Sequence, residues 1–221
     1  MSKLTISSAT ASDTSVLFDE YGDKYDLWYE KYYHAWISEL ELVRRFKCSG
    51  RSLEVGIGSG RFGPYIGVAV GLDPSLKLLK KVRGVDKVLG YGEYLPFRDD
   101  SFECTYIIFT LCFVRDPDGV IREALRVSSR VVTCIVPRDS FLGQKYLKEA
   151  EGGHIFYSKA RFYTVEEIIS MFSKYGAVPK KVLGTLTDHP ENIKYIDKVY
   201  EVASLDEVSK YGLVCVEFVR T

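Results

Sequence analysis

From residue 18 onward, aromatic and apolar side chains recur in steps of three or four, at Phe18, Tyr21, Tyr25, Trp28, Tyr32, Trp36, Leu40 and Val43. That spacing puts them on one stripe along one or two helices, with Gly22 marking an expected break or kink near the start. The pattern then contracts to short apolar runs bounded by turn residues. Leu53 and Val55 flank Glu54 ahead of a glycine-rich turn, and residues 68–73 (VAVGLD) end on a carboxylate. With 85–89, 103–109 and 130–137, these runs read as buried strands of an α/β sheet. Helices are expected between them, over 75–82 with Lys77, Lys80 and Lys81 mostly on the wet side, and over 120–127, where Asp116 is placed to cap and Pro117 takes the first helical position. Thr164 and Glu167 have the spacing of a capping box for a helix that ends near Gly176. Segments 180–186 and 213–220 fit a final strand pair, and the polar stretch 188–210 between them reads as helix or loop. The small, hydroxyl-rich residues 1–15 read as a mobile lead-in. Residues 16–46 then form a helical cap on a domain that runs to 221, and 140–163 an insertion rich in aromatic and basic side chains.

Composition narrows the function without choosing it. A chain of 221 residues suits one domain with a full core. Lysine plus arginine and aspartate plus glutamate both number 30, so the positive excess that accompanies nucleic-acid backbone binding is missing and no nucleic-acid partner is expected. The start of the chain lacks a signal peptide's apolar core, and no apolar run is long enough to span a membrane, so a cytoplasmic protein with no membrane partner is expected. The five cysteines, at 48, 104, 112, 134 and 215, show no C-x-x-C and no histidine at ligand spacing. Cys104, Cys112, Cys134 and Cys215 lie in or beside apolar runs and read as small buried hydrophobes, with no metal site expected. Only Gln144 and Asn192 carry side-chain amides, and only two methionines occur. That scarcity of thermolabile residues beside abundant charge suggests a thermophile, in which disulfides inside the cell are less improbable.

The chemistry is concentrated in 53–63, LEVGIGSGRFG. Gly56, Gly58 and Gly60 follow a strand carrying Glu54, and Asp73 ends the next strand. Glycine lets backbone turn tightly and approach a ligand, and an acid at the adjacent strand tip accepts from ribose hydroxyls. Two ligands fit such a turn. Gly58, Gly60 and Gly63 also spell G-x-G-x-x-G, the fingerprint of a dinucleotide site, which seats a pyrophosphate on a helix N-terminus. Pro64 and the short stretch to Gly67 leave little room for that helix, and Glu54 would repel a pyrophosphate.

The run E-x-G-x-G-x-G from Glu54 to Gly60, with Asp73-Pro74-Ser75, GYGEYLPF at 90–97 and DDSF at 99–102, resembles the class I S-adenosylmethionine-dependent methyltransferases. The resemblance covers roughly residues 20–172. It is to their small-molecule branch, similar to the ubiquinone and menaquinone biosynthesis enzymes and called methyltransferase type 11. It implies a single-domain Rossmann-like sheet of seven mostly parallel strands with an antiparallel final strand, helices on both faces and the N-terminal cap folded over cofactor and substrate. The implied cofactor is S-adenosyl-L-methionine, held by Glu54, Gly56, Gly58, Gly60, Asp73, Pro74, Gly92, Glu93 and Thr110. The family's usual aspartate after the first glycine of the adenine loop is Tyr91 here, so adenine recognition falls to stacking by Tyr91 or to backbone at Gly92 and Glu93.

The implied reaction is methyl transfer to an O, N or C atom of a small-molecule acceptor by a monomer or homodimer. Candidate catalytic residues are His154, Tyr25 and Arg161, with His34, Tyr157 and Tyr163 in the same cap segments. The alternatives are a cofactor-binding regulatory or scaffold module without turnover, suggested by the absence of an evident base, and an NAD-dependent oxidoreductase.

Overall fold

The structure is a computed structural model that describes residues 14–221. The lead-in expected over 1–15 therefore lies outside the described residues except for Thr14 and Ser15, which open the first helix. That helix, α1 (Thr14–Lys31), runs unbroken through Gly22. Gly22 is buried against Leu78, where a β-carbon would collide with the Leu78 side chain. It marks a close approach to the sheet domain instead of the expected kink. The chain breaks later, at Tyr32, before α2 (Tyr33–Arg44).

A sheet of eight strands follows, one more than the expected seven, in the order β3-β2-β1-β4-β5-β8-β6-β7. Strands β1 (Ser52–Val55), β2 (Val70–Asp73), β3 (Asp86–Leu89), β4 (Phe102–Ile108) and β5 (Ser128–Ile135) are mutually parallel. The final strand β8 (Leu213–Arg220) runs antiparallel between β5 and β6 (Ala177–Thr185). The extra strand is β7 (Tyr200–Glu201), a two-residue edge paired with β6 inside the stretch left open between helix and loop. The helix expected over 75–82 is a single turn, α4 (Leu76–Leu79), capped by the Ser75 hydroxyl.

Side-chain alternation along the central strands sorts the core onto two faces. Phe102, Ile107, Val131, Val214, Val216 and Phe218 pack with α5 (Pro117–Val127) and α7 (Val165–Ser173), and Phe172 stacks on Phe218 at 3.9 Å between ring centroids. Cys104, Tyr106, Ile108, Val132 and Leu213 face the other way, onto Trp36, Leu40 and Val43 of α2 and Leu142 and Tyr146 of α6 (Phe141–Glu151). The sequence-level caps hold: Asp116 accepts from the Gly119 amide, and Thr164 and Glu167 form the reciprocal capping box. Residues 140–163 are not a bare loop. Ser140 caps α6, which returns through a 3₁₀ turn at Tyr157–Lys159.

Four cysteines are bridged, and Cys104, Cys134 and Cys215 thereby depart from their reading as free buried thiols. Cys48 is joined to Cys104, and Cys134 to Cys215, directly opposite each other in the β5–β8 register. The apolar runs around Cys104, Cys134 and Cys215 say nothing about which strands become neighbours. Cys112 stays free. The bridges span 56 and 81 residues of sequence, separations at which loop closure is worth roughly 4 kcal/mol each in the chain-entropy account. Thiol titration in denaturant without reductant is therefore expected to find one reactive cysteine of the five. Reduction should lower Tm by roughly 10 °C or more. Five reactive thiols before reduction would contradict the pairing.

Candidate functional site

The site opens at the carboxyl ends of β1, β2, β3 and β4, where an open parallel sheet leaves a crevice. After β1 the backbone turns through Gly56, Gly58 and Gly60 with φ of 76°, 54° and 86°, values that side chains rarely tolerate. At Gly56 a β-carbon would also strike Thr110. At Gly58 there is space but the backbone is left-handed. The glycines are thus required by conformation, and they leave main chain bare at the mouth of the crevice.

Two buried carboxyls flank that bare turn. Asp73, at the tip of β2, is 7% exposed. It accepts from the Ser75 and Gly58 amides, both at 2.8 Å. Burial lifts its pKa to about 6; the two amide bonds oppose the rise, and Asp19 adds to it. Glu54 is 2% exposed, with its carboxyl held well above the usual range by burial, against which a bond from the Gly63 amide acts. Its Oε2 has no hydrogen-bond partner among the described residues. A buried carboxyl oxygen left unpaired is costly unless a donor arrives.

Glu54, Gly56, Gly58, Asp73, Pro74, Gly92, Glu93 and Thr110 all line one cavity of about 130 Å³, joined there by Tyr91, which is 45% exposed. Gly60 does not line it; its amide closes the turn onto the Ile57 carbonyl at 2.9 Å. The helix after the turn, α3, is only Gly63–Ile66. It is too short to present the dipole on which a pyrophosphate site depends.

Helix α1 roofs this cavity through side chains that cross to the turn. Ser75 Oγ donates to Asp19 at 2.5 Å, Ser59 Oγ to Asp26 at 2.5 Å, and Lys81 bridges Asp23 and Asp26 at 2.5 and 2.8 Å. Phe18 packs against Phe113, Tyr25 and Phe156. The aromatic stripe is therefore divided, with Trp36 and Leu40 buried in the core and Tyr25 and Trp28 facing a hollow.

That hollow is a second cavity of about 530 Å³ between α1, α2, α6 and the end of β4, meeting the first at Tyr25, Tyr29, Phe109, Thr110 and Phe113. Tyr25 and His154 line it. The His154 ring stacks on Tyr157 at 4.1 Å, and its Nδ1 accepts from the Tyr157 amide at 3.3 Å. Arg161 does not line either cavity: its guanidinium lies over the Tyr163 ring at 5.1 Å and its amide donates to the Cys112 carbonyl. His34 is exposed on α2. Burial raises the Tyr25 phenol above its usual range, and the Cys112 thiol is pushed up to about 12, which makes both poor proton acceptors at neutral pH.

Two residues, one at the junction and one in the large cavity, escaped the sequence reading. Phe109 reads as the end of the fourth strand but has φ of 53°, a conformation unusual for a bulky side chain, and it ends β4 with its ring between the two cavities. Glu39 is 2% exposed on α2 and lines the large cavity. Its signal lay in the register, three residues after Trp36 and four before Val43, on the apolar stripe. Among the described residues no cluster of histidine, cysteine and acidic side chains forms a metal site, and no helix is long and apolar enough to cross a membrane.

Comparison with known proteins agrees with this geometry. Residues 53–135 match a family model described as a methyltransferase domain. An uncharacterized protein of Methanocaldococcus jannaschii is 34% identical over 205 residues, 90% of this chain and 97% of that one. The crystal structure of an S-adenosylmethionine-dependent methyltransferase from Thermotoga maritima, named a possible histamine N-methyltransferase, superposes with a TM-score of 0.87 at 32% identity. The alignment covers 92% of this chain and 98% of that one. Magnesium protoporphyrin IX methyltransferase from Synechocystis, solved with bound S-adenosylhomocysteine, shares the fold with a TM-score of 0.66 at 13% identity, over 95% of this chain and 100% of that one.

The raised Asp73 pKa fixes the sign of a stability effect. Between the ordinary aspartate value and about 6 the folded protein binds the extra proton, so Asp73 makes stability fall as pH rises through that window. Relative to Asp73→Asn, the unliganded protein should lose about 2 kcal/mol between pH ~4 and pH ~7, read from paired denaturation curves. A difference between the two proteins that does not change with pH would contradict the assignment.

Proposed function

The chain belongs to the S-adenosylmethionine-dependent methyltransferases, and on that premise we propose that the small cavity holds the cofactor while the large aromatic cavity receives a small-molecule acceptor. S-adenosylmethionine is the cofactor of this enzyme, and when bound it supplies an electrophilic methyl group on a sulfonium. Asp73 keeps lone pairs free for the ribose hydroxyls beyond its two amide bonds. The unpaired Oε2 of Glu54 is offered to the amino group. Main chain at Gly56 and Gly58 admits the ligand to backbone distance, Pro74 shapes the ribose side, and Gly92 with Glu93 forms the adenine side beside Tyr91. The ring faces of Tyr25, Tyr29, Phe109 and Phe113 at the junction favour a sulfonium through cation–π attraction, and Thr110 closes the edge between the cavities.

The observation that carries this reading is the meeting of the two cavities at that aromatic junction. An acceptor in the larger one is thereby directed at a methyl group presented from the smaller, and alignment of that kind is worth roughly 7 to 11 kcal/mol of barrier. With the roof in place the small cavity, about 130 Å³, lies well below the several hundred Å³ that ligand pockets of this size class occupy. We infer that α1 swings away to admit the cofactor and returns to exclude water. Of the candidate catalytic residues, His154 lines the acceptor cavity as a hydrogen-bond donor in this reading, since its Nδ1 lone pair is taken by the Tyr157 amide and the neutral ring then carries its N–H on Nε2. Arg161 acts as a pin for the loop.

Titration calorimetry with S-adenosylhomocysteine should show saturable binding, weakened by about 1.5–3 kcal/mol in a folded Asp73→Ala variant. No heat at millimolar ligand would overturn the cofactor site, and an unchanged dissociation constant would remove Asp73 from it. Methyl-labelled cofactor incubated with fractionated metabolites should pass its label to a low-mass product. Label found only in macromolecules would contradict a small-molecule acceptor.

A further inference from the structure

We propose that the larger cavity is built for an acceptor carrying a protonated nitrogen, whose charge is met by Glu39 inside a cage of aromatic rings. This rests on the reading of that cavity as the acceptor site and adds the class of molecule it selects.

Glu39 projects from the buried face of α2 into the cavity, 2% exposed, and its Oε2 has no hydrogen-bond partner among the described residues. Among the described residues no cation offsets its burial, and desolvation raises its pKa well above the usual range. The lysines that line the same cavity are occupied at its rim. Lys145 is paired with Glu191 at 2.5 Å, Lys31 lies over the Tyr32 ring at 4.9 Å, and Lys24 over Tyr21 at 5.2 Å.

Around the carboxyl stand hydroxyls and ring faces. Tyr25, Tyr29, Tyr146 and Tyr157 line the same cavity as Glu39. Tyr146 and Tyr157 stack at 4.0 Å, and Trp28 packs edge-on to Tyr29 at 5.2 Å. Tyr29 pairs with Tyr25 and Tyr146 with Tyr157, while Glu39 Oε2 stays an open acceptor and the cage presents its π-faces. A buried carboxyl without a partner is unfavourable in an empty pocket. A ligand ammonium supplies both the missing donors and the countercharge, and aromatic faces attract the same charge. A neutral alcohol supplies a donor without the charge, and a carboxylate ligand would be repelled. Tyr25 lines both cavities, so an amine anchored on Glu39 lies on the path to the methyl donor.

The test uses the wild-type chain saturated with S-adenosylhomocysteine and a series of primary amines from butylamine to phenethylamine, each compared with its matching alcohol by titration calorimetry. Amines are expected to bind at least about tenfold tighter than their alcohols, and Glu39→Gln should bring the amine down to the alcohol without changing S-adenosylhomocysteine affinity. Equal affinity for amine and alcohol, an amine affinity unchanged by Glu39→Gln, or no amine binding at millimolar concentration would each overturn the proposal while leaving the cofactor site intact. Failure of S-adenosylhomocysteine itself to bind would instead overturn the reading on which it rests.

Discussion

The structure depends on a stretch of main chain that must do without side chains. Between β1 and α3 the backbone is left-handed three times within five residues, at Gly56, Gly58 and Gly60, and it lies between two carboxyls that water scarcely reaches. Each part forces the next. Left-handed backbone demands glycine, and glycine leaves amides exposed. The Gly58 amide is taken by Asp73, which fixes β2 in register with the turn. What remains is a crevice lined by backbone, with an unpaired carboxyl oxygen on one flank and on the other an aspartate whose pKa burial raises to about 6. A nucleoside with hydroxyls and an ammonium satisfies both flanks, whereas a pyrophosphate satisfies neither.

The cap extends this logic. Its acids, Asp19, Asp23 and Asp26, reach down to Ser75, Lys77, Lys81 and Ser59 around the turn, so the roof is held by a polar network in which Asp26 and Ser75 are buried and Asp23 with Lys77 lies toward solvent. Its aromatic rings meanwhile form one wall of the larger cavity. Opening the first cavity therefore disturbs the second, and the same helix can gate entry of the cofactor and shape the acceptor site.

How much of this was legible in the sequence follows from how local each feature is. The strand–turn–strand from Glu54 to Asp73 was readable because glycine conformation and a terminal acid are properties of neighbouring residues, and the capping boxes were readable for the same reason. Eight of the nine residues expected at the cofactor lie on one cavity; Gly60 serves the turn alone. Features made by distant segments were not readable. The Cys134–Cys215 bridge exists because β8 inserts beside β5, β7 because a two-residue segment meets β6, and Gly22 reads as a breaker until Leu78 is seen against it. Glu39 sat in plain view on an apolar stripe, but a lone acid on such a stripe acquires meaning only when a cavity opens before it.

The central claim is that the two buried carboxyls are shaped for a nucleoside cofactor, and the Asp73 carboxyl reports on it directly. Carbon-detected NMR titration of the side-chain carboxyl, with and without S-adenosylhomocysteine, should give a midpoint near 6 in the free protein. Saturation with the ligand should carry it down toward the ordinary aspartate range of about 3.9, because ribose hydroxyls donate to the ionised form. A midpoint that stays where it was when the ligand is bound would place the ribose away from Asp73 and contradict the account.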